Sequence, residues 1–134
     1  MPTLTLPAAP ITAVTASALS VLYIRLAFKV IALRRKHGVR LGTGLQDDLE
    51  AAVRAHANFA EYVPITLLML ALAEVNHGFW PLTSLSAALL VFGRVTHAQA
   101  LPRGSIPLRV RGMKATFFAI AVAVLANLSA FVTF

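Results

Sequence analysis

The chain has 134 residues, of which 58% are hydrophobic and only 13% charged, with a formal net charge of +7 and no cysteine. Soluble domains carry roughly a quarter charged residues, and the apolar residues here come in long blocks instead of the three-to-four spacing of an amphipathic helix, so a water-soluble globule is excluded and a membrane protein indicated. The missing cysteines exclude a disulfide framework, a thiolate metal site and a cysteine nucleophile.

Crossing a bilayer takes about 20 apolar residues, and four such spans follow one another in an all-α reading: Ile11 to Leu33, Ala52 to Ala73, Pro81 to Leu101 and Ala115 to Phe134. No basic residue precedes the first span, which therefore reads as a retained helix and not as a cleaved signal peptide. The first connection, RRKHGVRLGTGLQDD, carries Arg34, Arg35, Lys36 and Arg40. Its end offers Thr43 with Gln46, or Asp47 with Glu50, as a capping box for the second helix, and the acids suit that helix's positive end. Pro64 lies inside the second span, where it removes the hydrogen bond to the Ala60 carbonyl and is expected to bend the axis.

The middle connection, EVNHGF, has no Lys or Arg, and Gly78 and Pro81 bracket its turn. The last connection, PRGSIPLRVRGMK, holds Arg103, Arg109, Arg111 and Lys114, and Pro102, Gly104 and Pro107 are expected to break the chain before the final span. The positive-inside rule then predicts two cytoplasmic basic connections and both termini on the opposite side. The basic excess is a topology signal and an attraction to anionic head groups, not a nucleic-acid footprint. No repeat divides the chain, and one domain spanning 1–134 suffices.

The stretch RAHANFAEYVP, Arg54 to Pro64, puts polar residues where the second span begins. At about 100° per residue, Asn58 lies about 40° and Glu61 about 20° from Arg54, with His56 and Tyr62 to either side. Charged groups at membrane depth cost several kcal/mol unless they face protein or water, so this stripe faces a bundle or a polar cavity. Two readings stay open on the stripe alone: interhelical hydrogen bonding or a binding site. Arg94 and His97 lie one turn apart in the third span, and with Arg34, Arg35, Arg103 and Arg109 they share the membrane face of Arg54. Taken singly, those four arginines read as snorkelling anchors, and His97, with no second ligand at metal spacing, reads as a core histidine and not a metal site. Arg25 and Lys29, one turn apart in the first span, are expected to face a partner helix or a subunit contact.

The run R-A-H-A-N-F-A-E-Y-V-P closely resembles the second-helix signature of the MAPEG superfamily, the membrane-associated proteins of eicosanoid and glutathione metabolism, and looks most like its bacterial branch. ALRR at the end of the first helix and GRVTH in the third extend the resemblance over nearly the whole chain. The resemblance implies a four-helix integral membrane bundle assembled as a homotrimer in a bacterial inner membrane, with glutathione held between subunits near the cytoplasmic side. By position it implies that Arg34, Arg54, Asn58, Glu61, Tyr62, Arg94 and His97 line the glutathione, and that an arginine near the start of the fourth helix, Arg109 before Arg103, activates its thiol. The chain departs from several catalytic members at Leu101, where they carry a tyrosine.

The residue types suit that ligand independently, because glutathione's two carboxylates, one ammonium and amide groups call for guanidiniums, a carboxylate and an amide partner. The implied activity is a glutathione-dependent transferase or peroxidase acting on lipophilic electrophiles or hydroperoxides from the bilayer. The alternative is a non-catalytic, lipid-binding or scaffolding member of the same superfamily. A channel or transporter has little support, since no broken helices occur in paired halves.

Overall fold

The computed structural model describes residues 8–101 and 103–132. Pro102, expected to break the chain, and Phe134, the expected end of the last span, lie outside them. Four helices follow in order, α1 (Pro10–His37), α2 (Asp47–Val75), α3 (Trp80–Ala100) and α4 (Ile106–Ser129). The described fold is all-helical. Of these helices α1, α2 and α4 are long and apolar enough to cross a membrane. The third expected span is present as α3 but does not reach that apolar level, because Thr83, Ser86, Arg94 and His97 are built into it and buried.

The helix ends explain themselves locally. α1 stops at Gly38, which takes a left-handed φ of 67°. The Val39 N–H then bonds the Arg34 carbonyl at 3.0 Å, while Arg34, Arg35, Lys36 and His37 set positive charge at the helix's negative end. The expected capping box at α2 is not formed: the cap residue is Gln46, and no side chain caps the helix. The chain reaches Gln46 through left-handed conformations at Gly42, Gly44 and Leu45 and a turn closed by its N–H on the Thr43 carbonyl at 3.0 Å. Thr43 thus stands outside the first helical turn, and Asp47, Asp48 and Glu50 favour that end by charge alone. α2 continues through Pro64 without interruption.

Pro107 was expected to break the chain before the last span, and instead it lies inside the start of α4, as the second residue of the helix. It occupies the first turn, where its missing N–H costs no intrahelical bond. The Ser105 side chain accepts from the Leu108 N–H, and the last helix begins at Ile106, well ahead of the expected Ala115.

Large apolar residues lie on the outside as well as in the core, where Leu19, Leu49, Leu70 and Leu90 are buried. Phe28, Leu68, Phe92, Phe118 and Leu125 are exposed, whereas Ala119, Ala123, Ala126, Thr116 and Ser86 are fully buried. Between lipid-like surfaces no hydrophobic drive separates helix from bilayer, so close backbone approach through small residues supplies the cohesion. The tightest seam joins α3 to α4. A methyl on Gly93 would lie 2.7 Å from Thr116 Oγ1 and 2.9 Å from the Gly112 carbonyl oxygen, and one on Gly112 would lie 2.8 Å from the His97 nitrogen. Ser86 Oγ donates to the Ala119 carbonyl at 2.7 Å along the same seam. α1 packs on α2 and α3, α4 also packs on α2 and α3, and α1 and α4 are not neighbours.

The helices alternate in direction. Ile11 N–H and Thr12 N–H donate to the two Glu74 carboxylate oxygens at 2.8 and 2.7 Å, and the Thr12 hydroxyl adds a bond of 2.6 Å. Glu74, at the end of α2, therefore caps α1 by satisfying N–H groups that no helix can satisfy for itself. At the same end Phe79 N–H donates to Ser129 Oγ at 2.8 Å. The start of α1, the α2–α3 turn and the end of α4 accordingly share one face, and the two basic connections share the other. Glu74→Ala is expected to destabilise the bundle by about 2 kcal/mol, the scale of hydrogen bonds to a charged group, read as a lower unfolding temperature in detergent. Glu74→Gln, which keeps an acceptor, should recover part of the loss.

Candidate functional site

The polar stripe of α2 divides between two surroundings. Arg54 and Glu61 are exposed, and Ile65, Leu68 and Leu72 continue the same outward line toward the other membrane face. Asn58 and Tyr62, a few tens of degrees around the helix, are half-buried and face Arg94.

Arg94 is 1% exposed and joins three helices. Its Nη1 donates to Asn58 Oδ1 at 2.7 Å and its Nη2 to the Thr116 hydroxyl, which in turn donates to the Gly112 carbonyl at 2.9 Å. Its guanidinium stands 5.8 Å from the centre of the Tyr62 ring, itself edge-on to Phe117 at 5.5 Å. Among the described residues no carboxylate pairs with Arg94, and its Nε is buried without a partner. A cation so enclosed is held by dipoles and a ring face instead of a counter-charge. Arg94→Ala is expected to cost about 3 kcal/mol, because it leaves a cavity and strips Asn58 and Thr116 of their donor. Arg94→Met keeps the volume and removes the desolvated charge, so its cost should be less than half as large. Thermal unfolding of the two variants in one detergent gives the comparison.

His97 is 4% exposed and lies on the α3–α4 seam, its Cβ within 2.9 Å of where a methyl on Gly112 would be. Among the described residues no cluster of metal-binding groups surrounds it. Arg34 holds the first connection in place, its Nη1 donating to the Gly42 and Arg40 carbonyls at 2.9 and 3.3 Å. Beside it Asp48 accepts from Lys36 at 3.3 Å and approaches His37 Nε2 at 2.9 Å, tying the end of α1 to the start of α2. Arg109 is exposed in the first turn of α4, and Arg103 is exposed in the loop before it. Leu101 is half-buried against the apolar core.

These positions lie toward one membrane face. Asn58, Arg94 and Thr116 touch, so Arg54 lies one turn and Arg109 two turns toward the basic face from that contact, at about 1.5 Å per residue. The structure thus brings Asn58, Tyr62 and Arg94 together inside the bundle and leaves Arg54, Glu61 and Arg109 on its surface near the same membrane face. Thr116 and Met113, the latter 3.6 Å from Arg94 Nη2, join the group without having been singled out in the sequence. His56, beside the stripe, lies against Tyr23 with ring centres 4.7 Å apart and planes tilted by 34°, and its Nε2 is buried without a partner.

Two proteins of the same description resemble this chain. The inner membrane protein YecN of Escherichia coli K12 is 31% identical over 109 residues, covering 81% of this chain and 83% of its own. The YecN protein of Escherichia coli O6:H1 matches with the same identity and coverage. An exposed Arg–Glu stripe on the second of four small-residue-packed helices agrees with the match of residues 12–129 to the MAPEG family, and the chain belongs to that family of membrane proteins.

Proposed function

We propose that the protein is an inner-membrane, glutathione-dependent transferase or peroxidase whose ligand sits on the exposed α2 stripe where two copies of the chain meet, in a homotrimer. The observation that carries this reading is the exposure of Arg54 and Glu61 on a membrane-crossing helix. A carboxylate and a guanidinium turned outward at that depth need a polar partner, which lipid does not provide. A second copy with a charged ligand in the crevice does.

The residues present fit the ligand. Glu61 accepts an ammonium, and Arg54, Arg34 and Arg109 suit carboxylates and a thiolate. Arg94 occupies Asn58 Oδ1, which leaves the Asn58 amide NH₂ in a fixed direction to donate to a peptide carbonyl. Arg94 and His97 are buried, so within one copy they act by holding Asn58, Tyr62 and α4 in place. Glutathione supplies the thiol that the chain lacks. A thiol of pKa ~8.5 is only about 3% ionised at pH 7, and lowering it by about two units takes ~2.7 kcal/mol. One charge-assisted hydrogen bond, of ~1.5–3 kcal/mol, covers that requirement, and this reading assigns it to Arg109.

Titration of purified protein with glutathione, followed by calorimetry and thiolate absorbance near neutral pH, tests the reading. Absence of both binding and thiolate removes it. The burial of Arg94 and His97 favours a second reading, a scaffold or lipid-binding member of the family. Tight glutathione binding without turnover over a panel of electrophiles and hydroperoxides would select it.

A further inference from the structure

Arg25 and Lys29 lie within the long apolar helix α1, one turn apart, and both are exposed. Among the described residues neither takes part in a hydrogen bond or ion pair. They face the α3 side. One groove of about 530 Å³, lined by Val21, Leu22, Arg25, Lys29, Val95 and Gln99, runs between α1 and α3. A second, of about 460 Å³, shares Lys29, Leu26 and Ala98 with it and opens at Asp47, Asp48 and Gly104 on the basic-connection face.

α2 packs directly on α3, and α1 and α4 each pack on both without touching one another. Arg54 and Glu61 of the outward α2 stripe line neither groove, so a contact between copies through that stripe does not itself use the residues that form them. Two cations at that depth without a counter-charge carry a cost of several kcal/mol, which an anionic group in the groove removes.

The order of charges along the continuous groove narrows the occupant. From the connection face inward it presents carboxylates at Asp47 and Asp48, then Lys29, then Arg25, then the apolar walls of Leu22, Val21 and Val95. Lys29 lies about 10 Å below the level of Lys36, whose partner is Asp48, and Arg25 about 6 Å deeper. A lipid with an ammonium outermost, a phosphate beneath it and acyl chains below repeats that sequence with every sign reversed. Asp48 is already paired with Lys36 and His37, so Asp47 is the carboxylate at the mouth that favours an ammonium over a purely anionic head.

We propose that the α1–α3 groove binds a zwitterionic phospholipid with a primary ammonium head, its ammonium on Asp47, its phosphate met by Lys29 extended toward the mouth, its ester carbonyls on Arg25 below, and its chains along Leu22, Leu26 and Val95. The proposal rests on the copy-to-copy contact of the preceding reading only for leaving this side open. It involves none of the residues assigned to glutathione.

The test offers phosphatidylethanolamine, phosphatidylglycerol and phosphatidylcholine in equal amounts to the delipidated full chain in detergent and counts retained lipid by native mass spectrometry. Phosphatidylethanolamine is expected to be retained on the order of tenfold over the other two, the effect of one charge-assisted contact. Asp47→Asn should erase that preference, and the Arg25→Gln, Lys29→Gln pair should remove retention altogether. The charge-keeping Arg25→Lys, Lys29→Arg pair should restore it, which separates a lost site from a misfolded chain. Equal retention of phosphatidylglycerol, or retention that survives the Gln pair, overturns the proposal.

A second measurement uses the absence of native cysteine: Val21→Cys introduces a single thiol on the groove wall. Disulfide-linked chains in native membranes would show that another copy covers the groove, and would likewise overturn the assignment. Glutathione titration of the same samples keeps the two readings apart, since Asp47→Asn should leave it unchanged.

Discussion

Gly112→Leu is expected to prevent the chain from reaching a monodisperse folded state in detergent. Even the first carbon of the new side chain would stand 2.8 Å from the His97 backbone nitrogen and 2.9 Å from both the Gly93 oxygen and the His97 Cβ. Those neighbours are mostly backbone of the facing helix, so nothing can swing aside, and α3 and α4 must separate. Separation would break the Ser86 bond to the Ala119 carbonyl and pull Thr116 from Arg94. Overpacking alone costs about 1–3 kcal/mol, and the exposed polar groups of α3 add to it. Size-exclusion profile and helical circular dichroism check the outcome. Gly104→Leu serves as control: a Cβ there meets nothing within 4 Å, although its φ of +59° adds local strain.

The second large effect concerns chemistry. Arg109→Ala is expected to lower glutathione conjugation on the order of 25-fold near pH 7, where loss of about two pKa units of stabilisation takes the thiolate from about three quarters to about 3%, and to approach about 100-fold below about pH 6. Arg109 is exposed and makes no side-chain bond among the described residues, so the unfolding temperature should not move. The distinguishing measurement is the pH–rate profile. Its acidic limb should shift upward by roughly two units in Arg109→Ala, and Arg109→Lys should lie between the two. A wild-type rate in Arg109→Ala, with Arg103→Ala inactive, would transfer the role to the neighbouring arginine.

The four helices and their shared basic face were legible in the sequence because lipid imposes long apolar blocks, and because Lys and Arg gather at only two of the three connections. The α2 stripe was legible as a stripe, but not how it divides. About 40° of rotation separates Arg54, which faces outward, from Asn58, which reaches Arg94, and helical periodicity does not resolve that angle without knowing where the neighbouring helices lie.

Other features depended on contacts distant in sequence. Glu74 caps a helix more than sixty residues before it, and no local pattern announces such a partner. Thr43 and Gln46 have the spacing of a capping box, yet the left-handed Gly44 and Leu45 between them use the same residues to turn the chain. Pro107 was legible as punctuation but not as a beginning, since a proline is equally at home just before a helix and in its first turn.

The polar residues of α3 also bear on biogenesis. Handed to the bilayer singly, Arg94, His97, Thr83 and Ser86 would meet acyl chains, and the partners of Arg94 and Ser86, namely Asn58, Thr116 and the Ala119 carbonyl, are supplied by segments made both earlier and later. The third segment should therefore wait at the translocon until the fourth emerges, and the two should partition together as a helical hairpin. A nascent chain truncated after Leu101 would leave it unprotected, a substrate for membrane quality-control proteases.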